Sequence, residues 1–283
     1  MSSMFWGQRP VLLLSTLALL TGLVGSATLH AQTLRTPASQ RWLEVRQVNG
    51  TVTYRSASSR AARTGDRFEK VGDRLTTGAR SSAVLAIDDG IGFIQVSENT
   101  DLQIKKLQVQ LGGGKITEIQ VNRGQARLNV RRFTNPQSRL KINTPAGVAA
   151  VRGTEFGVTV DSQGRSGVTA ASGIVDVEAQ NQTVSITANQ FSTIVPGQAP
   201  TPARSITRNL LLEVQSIIPQ GNNEIIFQAV TDAPNLVFVN GQEALVDRNG
   251  IVTGVVATPV DKQLNIIVRN PLGEAQQYLY AVP

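Results

Sequence analysis

The feature that most restricts this chain is a two-residue alternation of aliphatic and polar side chains that a turn residue soon interrupts. From Trp42 onward the clearest runs are VTY (52–54), AVLAI (83–87), FIQV (93–96), LQIKKLQVQL (102–111), KITEIQV (115–121) and ARLNV (126–130). Asn49-Gly50, Asp88-Asp89-Gly90, Gly112-Gly113-Gly114 and Arg123-Gly124 stand between them. Alternation puts successive side chains on opposite faces of a strand, and no helical period competes with it, so the chain reads as all-β. Aromatics make up 5% of the sequence, which leaves the core to Val, Ile and Leu and favours strands stacked in narrow layers. LQIKKLQVQLGGGKITEIQV reads as one hairpin with a glycine tip. A nucleotide loop would need a strand-to-helix context and a Lys-Ser/Thr ending, and neither follows the glycines.

Residues 195–208, VPGQAPTPARSITR, contain three prolines and no apolar period. Residues 197–208 are read as a semi-extended linker between a first β-domain, 42–196, and a second one, 209–283. The second holds LEVQSII, EIIFQAV, NLVFV, IVTGVVA, LNIIVRN and QQYLYAV, divided by PQGNN, VNGQ, DRNG, TPVDK and NPLGE. Six or seven short strands at that spacing predict a small immunoglobulin-like β-sandwich, with Asp247-Arg248-Asn249-Gly250 as a hairpin turn.

Residues 1–31 have the charged start, apolar run (Val11–Gly25) and small-residue ending of a secretory signal peptide, with cleavage after Ala27 or Ala31. The apolar run of about 15 residues is shorter than the ~20 a membrane-spanning helix needs. The expected location is therefore periplasmic or extracellular. Cysteine is absent and the single histidine is His30. That excludes disulfides, a lipoprotein anchor, a Ser-His-Asp triad, a thiol nucleophile and a zinc site, so no metal or cofactor is expected. Only carboxylate chemistry survives, with Asp88, Asp89, Glu155 and Asp161 as its candidates near motif positions. The expected class is a non-enzymatic protein.

Charge is uneven. Residues 32–208 carry 23 basic and 13 acidic side chains, residues 209–283 only 3 basic and 7 acidic. The densest stretch runs from Arg123 to Arg152, with Arg123, Arg127, Arg131, Arg132, Arg139, Lys141 and Arg152 and no acid. In RLNVRR a strand would place Arg127, Asn129 and Arg131 on one face. The stripe reads either as a solvated outer face or as a binding surface for an anionic partner. Nucleic acid does not suit an exported chain without interleaved aromatics, whereas anionic envelope glycan, lipid headgroups or an acidic protein surface do.

NTPAGVAAVRGTEFGVTV (143–160) is apolar but interrupted near its middle. Ala149 and Val151 share one parity; Phe156, Val158 and Val160 share the other. Keeping one side buried across that change needs a bulge or bend, and Gly153 sits at the switch. Arg152 and Glu155 flank it and are expected to pair across it.

This run, followed by SGVTAASGIVDVE and SITANQFSTIVPGQAP, resembles the FecR-type periplasmic domain, as do VGDRLTTGARSSAVLAIDDG and VSENTDLQI upstream. The resemblance covers roughly Arg46 to Pro196. It makes Thr144, Pro145, Arg152, Gly153, Thr154, Glu155 and Phe156 a structural family motif and implies a stacked, solenoid- or roll-like β-domain. The best-known members are transmembrane regulators that sense an outer-membrane receptor and govern a sigma factor. Their cytoplasmic anti-sigma segment has no room in the ten residues ahead of the apolar run here. The leading expectation is an exported protein that binds an envelope protein or anionic glycan; the other is a signalling module acting in trans with a separate receptor or sigma-factor regulator.

Overall fold

The computed structural model describes residues 41–282 apart from residue 89. The expected signal peptide and Asp89 lie outside the described residues. Every regular element described is a strand. The first seventeen are β1 (Leu43–Asn49), β2 (Val52–Arg55), β3 (Ser59–Ala61), β4 (Arg67–Phe68), β5 (Arg74–Thr77), β6 (Ser82–Ile87), β7 (Gly92–Val96), β8 (Asp101–Val109) and β9 (Lys115–Val130), then β10 (Arg139–Asn143), β11 (Val148–Val151), β12 (Glu155–Val160), β13 (Ser166–Ser172), β14 (Ile174–Ala179), β15 (Gln182–Thr187), β16 (Gln190–Ile194) and β17 (Arg204–Ser205).

These strands form two ladders that share β9. One runs β1-β6-β7-β9-β12-β13-β16-β17. The other runs β3-β2-β5-β8-β9-β10-β11-β14-β15. The chain winds from one wall to the other, and the alternation read in the sequence turns Leu85, Ile94, Leu128, Phe156 and Val158 of one wall against Leu75, Ile104, Ile119, Leu140 and Ile142 of the other, all fully buried. At about 25 cal/mol per Å² of apolar surface removed from water, such a continuous layer needs neither disulfide nor metal.

The hairpin read at 102–121 forms as β8 and the first part of β9, closed at the glycine tip. The sequence put a turn at Arg123-Gly124; the structure instead makes 115–130 one strand that bends there and changes wall, pairing with β8 and β10 before the bend and with β7 and β12 after it. Gly124 allows this because a β-carbon would strike the Thr100 backbone. The Arg152-Gly153-Thr154 bend has the same purpose. β11 belongs to one wall, β12 to the other, and the parity switch follows from that transfer. Gly153 has φ +135°, and a β-carbon there would fall on the Arg132 Cα.

The linker region is pinned at both ends. Thr201 is buried and bonds to Ser192 and Thr193, β17 pairs with β16, and the Asp232 carboxylate accepts the N–H groups of Thr207, Arg208 and Asn209 at 3.2, 2.9 and 2.7 Å.

Beyond it lie β18 (Glu213–Gln220), β19 (Glu224–Val230), β20 (Leu236–Val239), β21 (Gln242–Val246), β22 (Ile251–Ala257), β23 (Gln263–Arg269) and β24 (Ala275–Ala281). Their order is β18-β19-β22-β21-β20-β23-β24, a four-strand and a three-strand ladder joined through the β20–β21 hairpin into one curled sheet around Phe227, Val237, Val252 and Ile266. Asp247 to Gly250 form the expected turn, the Asp247 carboxylate accepting the Asn249 and Ile251 N–H groups.

Candidate functional site

The arginine stripe divides into two environments. Arg127 is half-buried; its Nε donates to Glu155 Oε1 at 3.0 Å and its Nη1 to the Leu272 carbonyl at 3.1 Å. Glu155 therefore pairs with Arg127, not with Arg152 as its position in the sequence suggested. The reason is the wall transfer: Glu155 opens β12, whose neighbour is the second part of β9, while Arg152 is left exposed on the opposite side of the bend. Arg123 is exposed at the bend in β9, away from the other basic residues' cluster.

Arg132, Arg139, Lys141 and Arg152 come together. They line an open trough of about 790 Å³, with Ala150, Gly153 and Thr154 as its floor and Ile174, Asp176 and Glu178 as its far wall. The register explains the grouping. Lys141 lies opposite Ala150 and Ala150 opposite Asp176, so one outward row runs from cation through a small side chain to an acid. The parallel pairing of β9 with β10 adds Glu118 beside Lys141. Arg139, Arg132 and Arg152 have no carboxylate partner among the described residues, and Lys141 only reaches Glu178 at 3.8 Å. Asp176 accepts a hydrogen bond from Ser185 at 2.6 Å. Arg132 and Arg131 also line a neighbouring hollow of about 320 Å³ with Lys115 and Ser138. The Thr154 hydroxyl, on the trough floor, is buried with no hydrogen-bond partner, which is costly unless something supplies one.

The remaining motif residues are structural in their contacts. Thr144 and Pro145 make the turn between β10 and β11: Thr144 Oγ1 accepts the Gly147 N–H at 3.1 Å and a hydrogen bond from Ser166 at 2.8 Å. Phe156 is wholly buried.

Of the carboxylates weighed as catalysts, the three among the described residues, Asp88, Glu155 and Asp161, are engaged. Asp88 is buried against Arg41, with Lys115 at 3.5 Å. Asp161 is buried against Arg165. Among the described residues no group of three or more His, Asp or Glu side chains could hold a metal ion, and no helix is long and apolar enough to cross a membrane.

What the sequence reading missed is a seam between the first β-domain and the C-terminal sheet. Gln125, Thr159 and Arg165 are buried there, as are Asn235 and Asn270 facing them. Glu98 pairs with Arg269 across it. Burial pushes the Glu98 carboxyl up, but hydrogen bonds from Arg269 and the Arg80 N–H outweigh it and hold the group below the usual carboxylate range. Glu243 moves the other way: burial and the nearby Asp161 charge raise it against a hydrogen bond from the Ser162 N–H. A glycine inside a strand marks a close backbone approach, and Gly157 and Gly167 were that signal.

Comparison with known proteins adds a family. Residues 73–176 match the family model described as FecR protein. Two crystal structures of a candidate anti-sigma factor from Parabacteroides distasonis ATCC 8503 are similar at 14% identity and TM-score 0.39, over 47% of this chain and 59% of that one. A polysaccharide lyase is similar at 10% identity and TM-score 0.21, over 86% of this chain and 40% of that one. At such scores neither likeness fixes a shared fold. The chain spans less than two thirds of the anti-sigma factor's length. No curated protein matches the sequence. All of the trough except Glu178 lies inside the stretch, residues 73–176, that matches the FecR model.

Proposed function

We propose that this chain is an exported, non-enzymatic binding protein of the cell envelope whose FecR domain holds an extended, acidic segment of a partner protein in the trough. The observation that carries this reading is the gathering of Arg132, Arg139 and Arg152 around one open trough with no carboxylate partner among the described residues. Other arginines packed on the same two walls are neutralised by pairs such as Arg41–Asp88, Arg60–Asp66 and Arg165–Asp161. An acidic chain laid over Ala150 gains charge-assisted hydrogen bonds from three planar guanidiniums, and Asp176 and Glu178 on the far wall set its direction by repelling an acid on that side. The engaged state of Asp88, Glu155 and Asp161 supports a non-enzymatic role. On this reading 42–196 is the recognition domain, 197–208 the connector and 209–283 an immunoglobulin-like module.

The test is in-cell photo-crosslinking from position 139, compared with the triple variant Arg132→Ser, Arg139→Ser, Arg152→Ser. A discrete protein captured by the natural sequence and lost in the variant, with binding that weakens as salt rises, is the expected result. Capture unchanged by the variant overturns the trough. The FecR match favours a second reading, in which the captured protein is a receptor or sigma-factor regulator and this chain signals in trans. An anionic glycan as the only captured species would reject both protein readings.

A further inference from the structure

The hairpin β12–β13 contains the tripeptide Gly-Val-Thr twice, at 157–159 and 167–169. Antiparallel register crosses the two copies, so Gly157 lies opposite Thr169 and Thr159 opposite Gly167. Each glycine supports a proline of the C-terminal sheet. A β-carbon on Gly157 would overlap the Pro271 carbonyl, and one on Gly167 would lie 2.6 Å from the Pro234 Cα. In both turns the carbonyl before the proline takes an N–H donor at 2.5 Å, Ala233 from Arg165 and Asn270 from Gln125. Thr159 Oγ1 donates to the Pro234 carbonyl at 2.6 Å, and Arg127 to the Leu272 carbonyl at 3.1 Å. Thr169, at the position equivalent to Thr159, has a buried hydroxyl with no partner.

We infer that the crossed Gly-Val-Thr pair is a two-seat receptor for Xaa-Pro turns. The turns between β19 and β20 and between β23 and β24 occupy it in cis, and this recognition, rather than the connecting chain, holds the C-terminal sheet in place. Proline suits the role physically. Its fixed φ presets the carbonyl directions, so little ordering entropy is lost when donors engage them. The donors read main-chain oxygens, and the glycines admit the backbone of the turn to the face of the strand. Asp161 makes one donor rigid: it accepts the Arg165 N–H and Nε, both at 2.8 Å, and aims the guanidinium at Ala233. The inference is independent of what the trough binds.

The test uses the full chain with a protease site inserted between Ile206 and the exposed Thr207, so that Thr201 and β17 stay with the N-terminal fragment. After cleavage the two fragments are expected to co-elute on size exclusion; separation in the natural sequence overturns the inference. Gly157→Val is expected to release the C-terminal fragment, and co-elution as tight as the natural sequence's overturns the glycine seat. Should Gly157→Val fail to fold, the threonines decide. Thr159→Val is expected to weaken association about tenfold, while Thr169→Val leaves it unchanged. Equal effects of the two would mean that the carbonyl is not being read.

Discussion

Arg127 and Arg131 lie on the same stretch of chain, four residues apart and of equal parity, yet their surroundings are opposite. Arg127 is enclosed by Glu155 and the Leu272 carbonyl, and its charge is used within the molecule. Arg131 is exposed and has no carboxylate partner among the described residues. The seam and the trough repeat this contrast on a larger scale. In the seam a donor meets an acceptor of fixed position, and the arrangement resists change. The trough leaves its donors open, as the proposed binding of an acidic segment requires. Formal charge therefore says little about which arginine binds a partner; what covers it decides.

The largest expected effect tests whether the bend that separates the two regions is obligatory. Gly153→Val should cost about 4 kcal/mol or more, because it combines a disallowed φ with a backbone collision at Arg132, read as a fall in denaturation midpoint. Next is the seam. Arg165→Ala should cost about 3 kcal/mol, since it leaves Asp161 buried without its counter-charge; a loss no larger than that of Arg131→Ala would erase the distinction between the regions. Arg127→Ser should cost about 1–2 kcal/mol in the same assay, whereas the triple trough variant should stay within about 0.5 kcal/mol of the natural sequence while losing its ligand.

The smallest effect is a pH dependence with two signs. Glu98 is depressed in the folded state, so its contribution is present above the unfolded value and is lost as pH falls through the folded one, in acid below about pH 4. Glu243 is raised, so its favourable contribution exists below the unfolded value and is lost as pH rises through the folded one. At neutral pH it is a liability. Glu243→Gln should stabilise the chain by a few tenths of a kcal/mol at pH 7 and flatten that part of the profile. Stability that falls at pH 7 would show that the Ser162 N–H needs the full charge.

The local parts of this fold were legible because they depend on near neighbours. Alternation identified the strands, three glycines closed the β8–β9 hairpin, Asp247-Arg248-Asn249-Gly250 made its turn, and the parity change at Gly153 marked a bend. The destination of the bend was not legible. Parity reports that a strand changes side, but the second wall that receives it is built from residues far away. The trough was half legible: its cations are dense between Arg123 and Arg152, but Asp176 and Glu178 enter only through the register of β14 against β11. The seam was the least legible region. Gln125 and Asn270 are 145 residues apart, and no local period links them. The repeated Gly-Val-Thr was visible, but its meaning depends on an antiparallel register that crosses the two copies.

The seam also sets an order in time. The Asn270-Pro271-Leu272 turn comes within the last fifteen residues of the chain, while Gln125, Arg127 and Gly157 precede it by more than a hundred. Loop closure over such a separation is slow compared with forming a hairpin. A chain emerging from its N-terminus can complete both walls built by β1 to β17 and still present two vacant glycine seats, a buried-type arginine and an unpaired glutamine to its surroundings. The Gly167 seat is covered when the Pro234 turn between β19 and β20 arrives, and the Gly157 seat and Gln125 only when the Pro271 turn between β23 and β24 does. The interval before that arrival is when this protein is most exposed to proteases and to mispairing with another copy.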